Sequence, residues 1–177
     1  EVCIGAIVTQ NTSWLQVEKA LLSLKKLGAL NAEKMNELGL AKLESALKPA
    51  GYFRQKAKKI KEFTRFYLSL NGRTPAREEL LAIWGVGPET ADSMLLYAFK
   101  VPSFKIDAYT RRIFTNLRLI KEKATYDEIK MLFDDNLRPP DLAIYQEYHA
   151  LLVEHAKRYY TKKEDYQKCP LYIGHVK

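Results

Sequence analysis

Between Leu80 and Phe99 the chain reads LLAIWGVGPETADSMLLYAF. An apolar helical turn runs into Gly85-Val86-Gly87-Pro88, and a second amphipathic helix follows, so the spacing predicts two helices joined by a tight turn. Gly85 and Gly87 open backbone angles closed to other residues and let a second backbone come close to the turn's amides. Pro88 suits the first turn of a helix, where its missing N–H is no loss. With the positive end of that helix dipole alongside, the turn offers N–H donors to an anion such as a DNA phosphate. A plain helical corner with no ligand fits the same four residues.

Outward from this stretch, apolar residues recur at helical spacing almost everywhere. Ile4, Ile7 and Val8, then Leu15, Ala20, Leu21 and Leu24, predict two helices separated by a polar insert near Gln10 to Ser13. Asn31 can cap a short helix through Leu38, Leu40 to Leu47 gives another, and Gly51 precedes a longer one from about Arg54 to Leu70. Thr74-Pro75 and Thr125-Tyr126-Asp127-Glu128 both read as helix starts, and Pro139-Pro140-Asp141 opens the last long helix. Period-two alternation is nowhere convincing. The fold class is all-α.

The chain has 177 residues, 47% of them apolar and 28% charged, which suits one globular domain or two small lobes. A net charge of +8 suits an anionic partner without naming one. No apolar run approaches the roughly 20 residues that a bilayer-spanning helix requires, so no membrane partner is expected. Cys3 and Cys169 stand at opposite ends, and a reducing compartment is the simpler reading. The chain opens on Glu1 and enters directly into a helical pattern, so a segment upstream is expected.

Taken with Ile106-Asp107-Ala108-Tyr109-Thr110-Arg111-Arg112, the stretch around Gly85 resembles the helix-hairpin-helix (HhH-GPD) DNA glycosylase superfamily, in its endonuclease III-like branch. Val8-Thr9-Gln10-Asn11-Thr12, Gly51-Tyr52-Phe53 and Lys56-Ala57-Lys58-Lys59-Ile60 are further matches in the expected order. The resemblance implies a two-lobed helical fold with a central cleft. One lobe of six helices spans roughly residues 20–110, with the hairpin at 80–99, and the N-terminal segment joins residues 111–177 in the other. It also implies a monomer acting on double-stranded DNA, with a damaged base flipped out and its N-glycosidic bond hydrolysed. The expected setting is cytoplasmic, nucleoid-associated in a prokaryote.

The family's catalytic aspartate falls on Asp107. A carboxylate there can stabilise positive charge on the sugar or orient water, and Asp107 can equally cap the helix that follows. Gly85, Val86, Gly87 and Glu89 fall on the phosphate-binding hairpin, and Gln10 and Asn11 on a turn near the lesion. Trp14, Trp84 and Lys157 are candidates for the base pocket, since a flipped base is held by stacking. From Lys48 to Phe66 seven basic residues face one acid, Glu62, and some of them are expected at phosphates.

The chain departs from the family twice. Glu89 stands where lyase members carry a lysine, and a carboxylate forms no imine, so a monofunctional enzyme is expected unless Lys105 substitutes. At the C-terminus, where relatives hold four cysteines, the alignment places Tyr159 or Tyr160, Tyr166 and Cys169, with His175 near the last position. No iron–sulfur cluster, metal or other cofactor is expected. Alkylated purine is the favoured substrate, by resemblance to the 3-methyladenine branch and because a cationic base needs little acid assistance. A uracil or mismatched-thymine glycosylase, an oxidised-pyrimidine glycosylase with lyase activity, and a non-catalytic DNA-binding module are the alternatives.

Overall fold

The computed structural model describes residues 1–173, and every regular element among them is helical. In chain order these are α1 (Val2–Val8), α2 (Trp14–Lys26), α3 (Ala32–Glu37), α4 (Leu40–Leu47), α5 (Phe53–Ser69), α6 (Arg77–Leu81) and α7 (Pro88–Met94). A π-helical segment (Leu95–Phe99) continues α7, and α8 (Ala108–Asn116), α9 (Tyr126–Asn136), α10 (Leu142–Tyr159) and α11 (Pro170–Ile173) follow. No described helix is long and apolar enough to cross a membrane.

The sequence's cap signals account for several helix starts. The Asn31 side chain accepts the Lys34 N–H at 3.0 Å, and Asp141 accepts the Ile144 N–H at 2.8 Å. Thr125 and Glu128 satisfy each other's amides at 3.2 and 2.6 Å, the reciprocal pattern of a capping box. One start moves. Thr74-Pro75 does not open a helix; α6 begins at Arg77, because the Glu79 carboxylate takes the Ala76 N–H at 2.8 Å while pairing with Arg73.

The chain divides into two compact units at Met94 and Leu95. In the first, α1 packs on α2, α5 and α7, and α5 also covers α3 and α4. Ile7, Val17, Leu24, Leu47, Ile60 and Leu80 are wholly buried there, each worth about 1.5–3 kcal/mol of transfer free energy. The division differs from the lobes implied by resemblance. The N-terminal helix lies with residues up to 94, because its Ile7 and Val8 are fully enclosed and α1 packs on α7. Residues 95–106 go with the second unit, since Leu96, Phe104 and Ile106 belong to its core.

That second core is aromatic. Phe104 stacks on Phe133 with centroids 4.1 Å apart and takes the edge of Tyr145 at 5.3 Å. α10 runs along α8 and the π segment. A π turn takes carbonyls out of α-helical register, and that of Leu96 is met at 2.8 Å by the side-chain amide of Gln146 on α10.

Candidate active site

Within the first unit, the hairpin between α6 and α7 is built around a glycine whose backbone angle other residues rarely adopt. Gly85 has φ of +85°, a conformation that disfavours any side chain. A Cβ there would also stand 2.5 Å from Cε of Lys59, whose stem lies across the turn. Gln10 completes the packing: its amide donates to the Gly85 carbonyl at 3.0 Å and to the Thr90 hydroxyl at 3.1 Å, and its carbonyl accepts from Lys59 Nζ at 2.5 Å. Gln10, expected near the lesion, is thus a brace of the hairpin. Asn11 beside it is exposed, with φ of +53°.

Val86 is buried while Gly87 and Glu89 are exposed, so one side of the turn is anchored and the other faces outward. Beneath α7, Asp92 is fully buried and takes Arg77 in two bonds, 2.9 Å to Nε and 3.1 Å to Nη2. That clamp ties α6 to α7. Trp84, expected as a pocket wall, is half-exposed with the Lys58 ammonium 4.8 Å from its ring centroid. Trp14 is exposed as well, its indole N–H given to Glu18 at 2.8 Å.

The basic run of α5 separates into distinct duties. Lys56 is buried with Nζ on the Ala50 carbonyl at 2.8 Å, and desolvation lowers its pKa. Lys61 closes α3 by donating to the carbonyls of Met35 and Asn36, each at 2.7 Å. Lys59 braces the hairpin, and Lys48, Arg54, Lys58 and Arg65 remain exposed. A charge run read from sequence merges these roles.

Within the second unit, Asp107 is the N-cap of α8 and more. Its Oδ1 accepts the Thr110 N–H at 2.8 Å and the Thr110 hydroxyl at 3.0 Å. Its Oδ2 lies 3.2 Å from Nε2 of His149, and Nδ1 of that ring lies 2.7 Å from the Tyr97 hydroxyl. Burial acts to raise the Asp107 carboxyl, but the His149 and Thr110 hydrogen bonds with the charges of His149 and Lys105 outweigh it and bring it down to about 2. The carboxylate is therefore ionised at neutral pH. Burial, then the Asp107 charge, pushes the Tyr97 hydroxyl up to about 12, so the phenol beside Nδ1 keeps its proton. Because an ionised carboxylate only accepts, Nε2 of His149 donates to Asp107.

Neither His149 nor Tyr97 stands out in the sequence. His149 is 42 residues from Asp107, on a helix where only Lys157 had a motif to mark it. Lys157 is exposed and paired with Glu154 at 2.6 Å.

At the C-terminal end, Cys169 is buried with Sγ 3.1 Å from Nε2 of His155. The Tyr160 and Tyr166 rings lie 4.8 Å apart, and the Tyr160 hydroxyl accepts from Asn116 at 3.0 Å. Histidine and tyrosines thus crowd the single thiol of this region, and the chain holds two cysteines in all. A four-thiolate cluster does not fit that donor set. His175 lies outside the described residues.

An all-α scaffold with a glycine hairpin and a partly buried, ionised carboxylate at a helix N-cap has the parts of a helix-hairpin-helix glycosylase. Comparison with known proteins agrees: the HhH-GPD superfamily of base excision DNA repair proteins matches residues 4–139. "Putative DNA repair glycosylase MJ1434" of Methanocaldococcus jannaschii is 48% identical over 97% of this chain and 82% of its own length. Endonuclease III of Thermotoga maritima is 33% identical over 78% of this chain and 67% of its own. The crystal structure of H. pylori 3-methyladenine DNA glycosylase (MagIII) bound to 1,N6-ethenoadenine superposes with a TM-score of 0.77 at 27% identity, covering 88% of this chain and 83% of that one. A trapped endonuclease III–DNA covalent intermediate shares the fold at a TM-score of 0.84 and 21% identity, over 97% of this chain and 80% of that one. The chain belongs to the HhH-GPD superfamily of base excision DNA repair proteins and is a DNA glycosylase of that family.

Proposed function

We propose that this glycosylase is monofunctional, that it releases alkylated purines from duplex DNA, and that Asp107 is its catalytic carboxylate. The observation that carries the reading is the state of Asp107: its side chain only 11% exposed, ionised, and held at both oxygens. A carboxylate brought to about 2 is a poor proton acceptor but a strong fixed negative charge. Its task is electrostatic. As the C1′–N bond breaks, its electron pair leaves with the base and the sugar becomes cationic; Asp107 stabilises that charge until a water oxygen bonds to C1′ and gives its proton to solvent. A purine already cationic from alkylation departs neutral and asks for no general acid, which matches a site whose carboxylate is a base-poor anion.

Two further observations support the reading. Glu89 replaces the lysine of lyase members and is exposed. The likeness to H. pylori MagIII, a 3-methyladenine DNA glycosylase whose crystal structure holds 1,N6-ethenoadenine, leans the substrate toward alkylated purines. The hairpin of Gly85, Val86, Gly87 and Glu89 serves in this reading as the phosphate grip, with Lys58 and Trp84 beside it. The enzyme works without an iron–sulfur cluster, its place taken by the packing of His155, Tyr160, Tyr166 and Cys169.

A glycosylase/lyase acting on oxidised pyrimidines is the second reading, and one observation favours it: the Lys105 charge reaches Asp107, so an amine stands near the catalytic group. The two are separated by incubating the protein with duplexes each carrying one defined lesion and quantifying free base and strand breaks independently. Release of alkylated purine without breaks, and no covalent adduct on borohydride treatment, is expected. A trapped adduct lost in Lys105→Ala contradicts the monofunctional reading, and binding without release from any lesion contradicts catalysis.

A further inference from the structure

We propose that His149, held by Tyr97, is a positioning residue for Asp107, whose bond to Oδ2 keeps the carboxylate ionised and in one orientation while the base departs. The inference rests on the catalytic reading of Asp107 and adds to it the residues that set its geometry.

An N-cap needs one oxygen. Asp141, which caps α10, uses Oδ1 alone on the Ile144 N–H, and Oδ1 of Asp107 already does this for Thr110. The second oxygen of Asp107 is bound from a different helix, by a histidine buried to 7% exposure. Burying an imidazole is costly unless both nitrogens are satisfied, and here Tyr97 at 2.7 Å and Asp107 at 3.2 Å satisfy them. Capping does not require that arrangement. A carboxylate fixed at both oxygens does, since a fixed charge helps a developing cation only if it does not rotate away.

The order of protons follows from the three groups. In the proposed array Tyr97 donates into Nδ1 and the Nε2–H points at Oδ2. The charged and titratable groups around the ring are Asp107 itself, Lys105 on the loop before α8, and Tyr97 from the π segment. Removing the imidazole leaves burial opposed only by Thr110 and Lys105, so Asp107 protonates at higher pH.

The test follows base release in single turnover from pH 4 to pH 9, on the lesion duplex that the wild-type enzyme turns over. Wild type is expected to keep its rate to the acid end of the range. His149→Leu is expected to bring an acid limb into the range, shifted up by about 1–3 pH units, with a neutral-pH rate down by as much as about 100-fold. His149→Gln, whose amide can donate from nearly the same point, is expected to recover the wild-type profile. ¹⁵N spectra of His149 provide a readout free of both turnover and the leucine variant's folding. They are expected to show a single Nε2–H tautomer in wild type at neutral pH and mixed tautomers in Tyr97→Phe.

A wild-type rate and profile in folded His149→Leu, or an Nδ1–H tautomer in wild type, overturns the proposal. Asp107→Asn run beside these separates the two levels. An inactive Asp107→Asn with an unaltered His149→Leu removes the positioning role alone, whereas an active Asp107→Asn removes the reading of Asp107 itself.

Discussion

Gly85 is constrained twice, by a φ of +85° and by the Lys59 stem lying where a Cβ would go. Gly85→Ala is expected to cost about 1–3 kcal/mol of stability and to loosen duplex binding, read as a lowered urea midpoint and a raised Kd. Adding Lys59→Ala removes the clash and leaves the φ penalty, so the double variant should recover only part of the loss. An alanine variant as stable as wild type contradicts the account of the turn. At this scale the sequence was legible where chemistry is local. Gly85 and Asp107 were readable because a turn and a cap each lie within a few residues of their partners. Gln10, Lys59 and His149 were not, because their roles are long-range contacts that no periodicity encodes. Gln10 braces a hairpin 75 residues away, a contact its polar turn does not announce.

Helices were legible through their caps, and α3, α9 and α10 begin where Asn31, Thr125 and Asp141 place them. The miss at α6 has a physical cause, since Glu79 gathers both Arg73 and the Ala76 N–H and so starts the helix after Thr74-Pro75. The π segment was unreadable, as Leu95–Phe99 has an ordinary apolar pattern and its widened turn depends on Gln146 from α10. What holds α6 to α7 is the Arg77–Asp92 clamp, with Asp92 wholly buried. Leaving one partner of such a pair alone is costly, so Asp92→Ala is expected to destabilise by about 3–5 kcal/mol. Chemical denaturation measures this, and an unchanged midpoint would show that the clamp is dispensable to the hairpin.

Across the whole molecule the perturbed groups set the pH range of stability. Asp107 and Glu79 are brought down to about 2, and Glu128, Glu154 and Asp165 are also lowered by their hydrogen-bond partners. Groups lowered on folding contribute above their ordinary values, near 4, and that contribution is lost as pH falls through their folded values. On the alkaline side burial raises Cys3 from 9.0 to about 11 and Tyr97 from 10.0 to about 12, so stability falls as pH climbs between those limits. His155, lowered from 6.5 by burial, adds to the loss on the acid side, so thermal melts should be flat from about pH 7 to 9 and decline on both sides; a Tm that keeps rising toward pH 3 contradicts the charge states assigned here. The family and the all-α architecture were visible in the order of several motifs, whereas the division at Met94 depended on which core each apolar residue joins. The most direct test of the account is the single-turnover rate of base excision by Asp107→Asn at saturating enzyme. Asparagine preserves the cap and removes the charge, so the predicted result is a rate lower by about 100- to 1,000-fold with duplex affinity intact. A variant excising at the wild-type rate would contradict the claim that this carboxylate carries the chemistry.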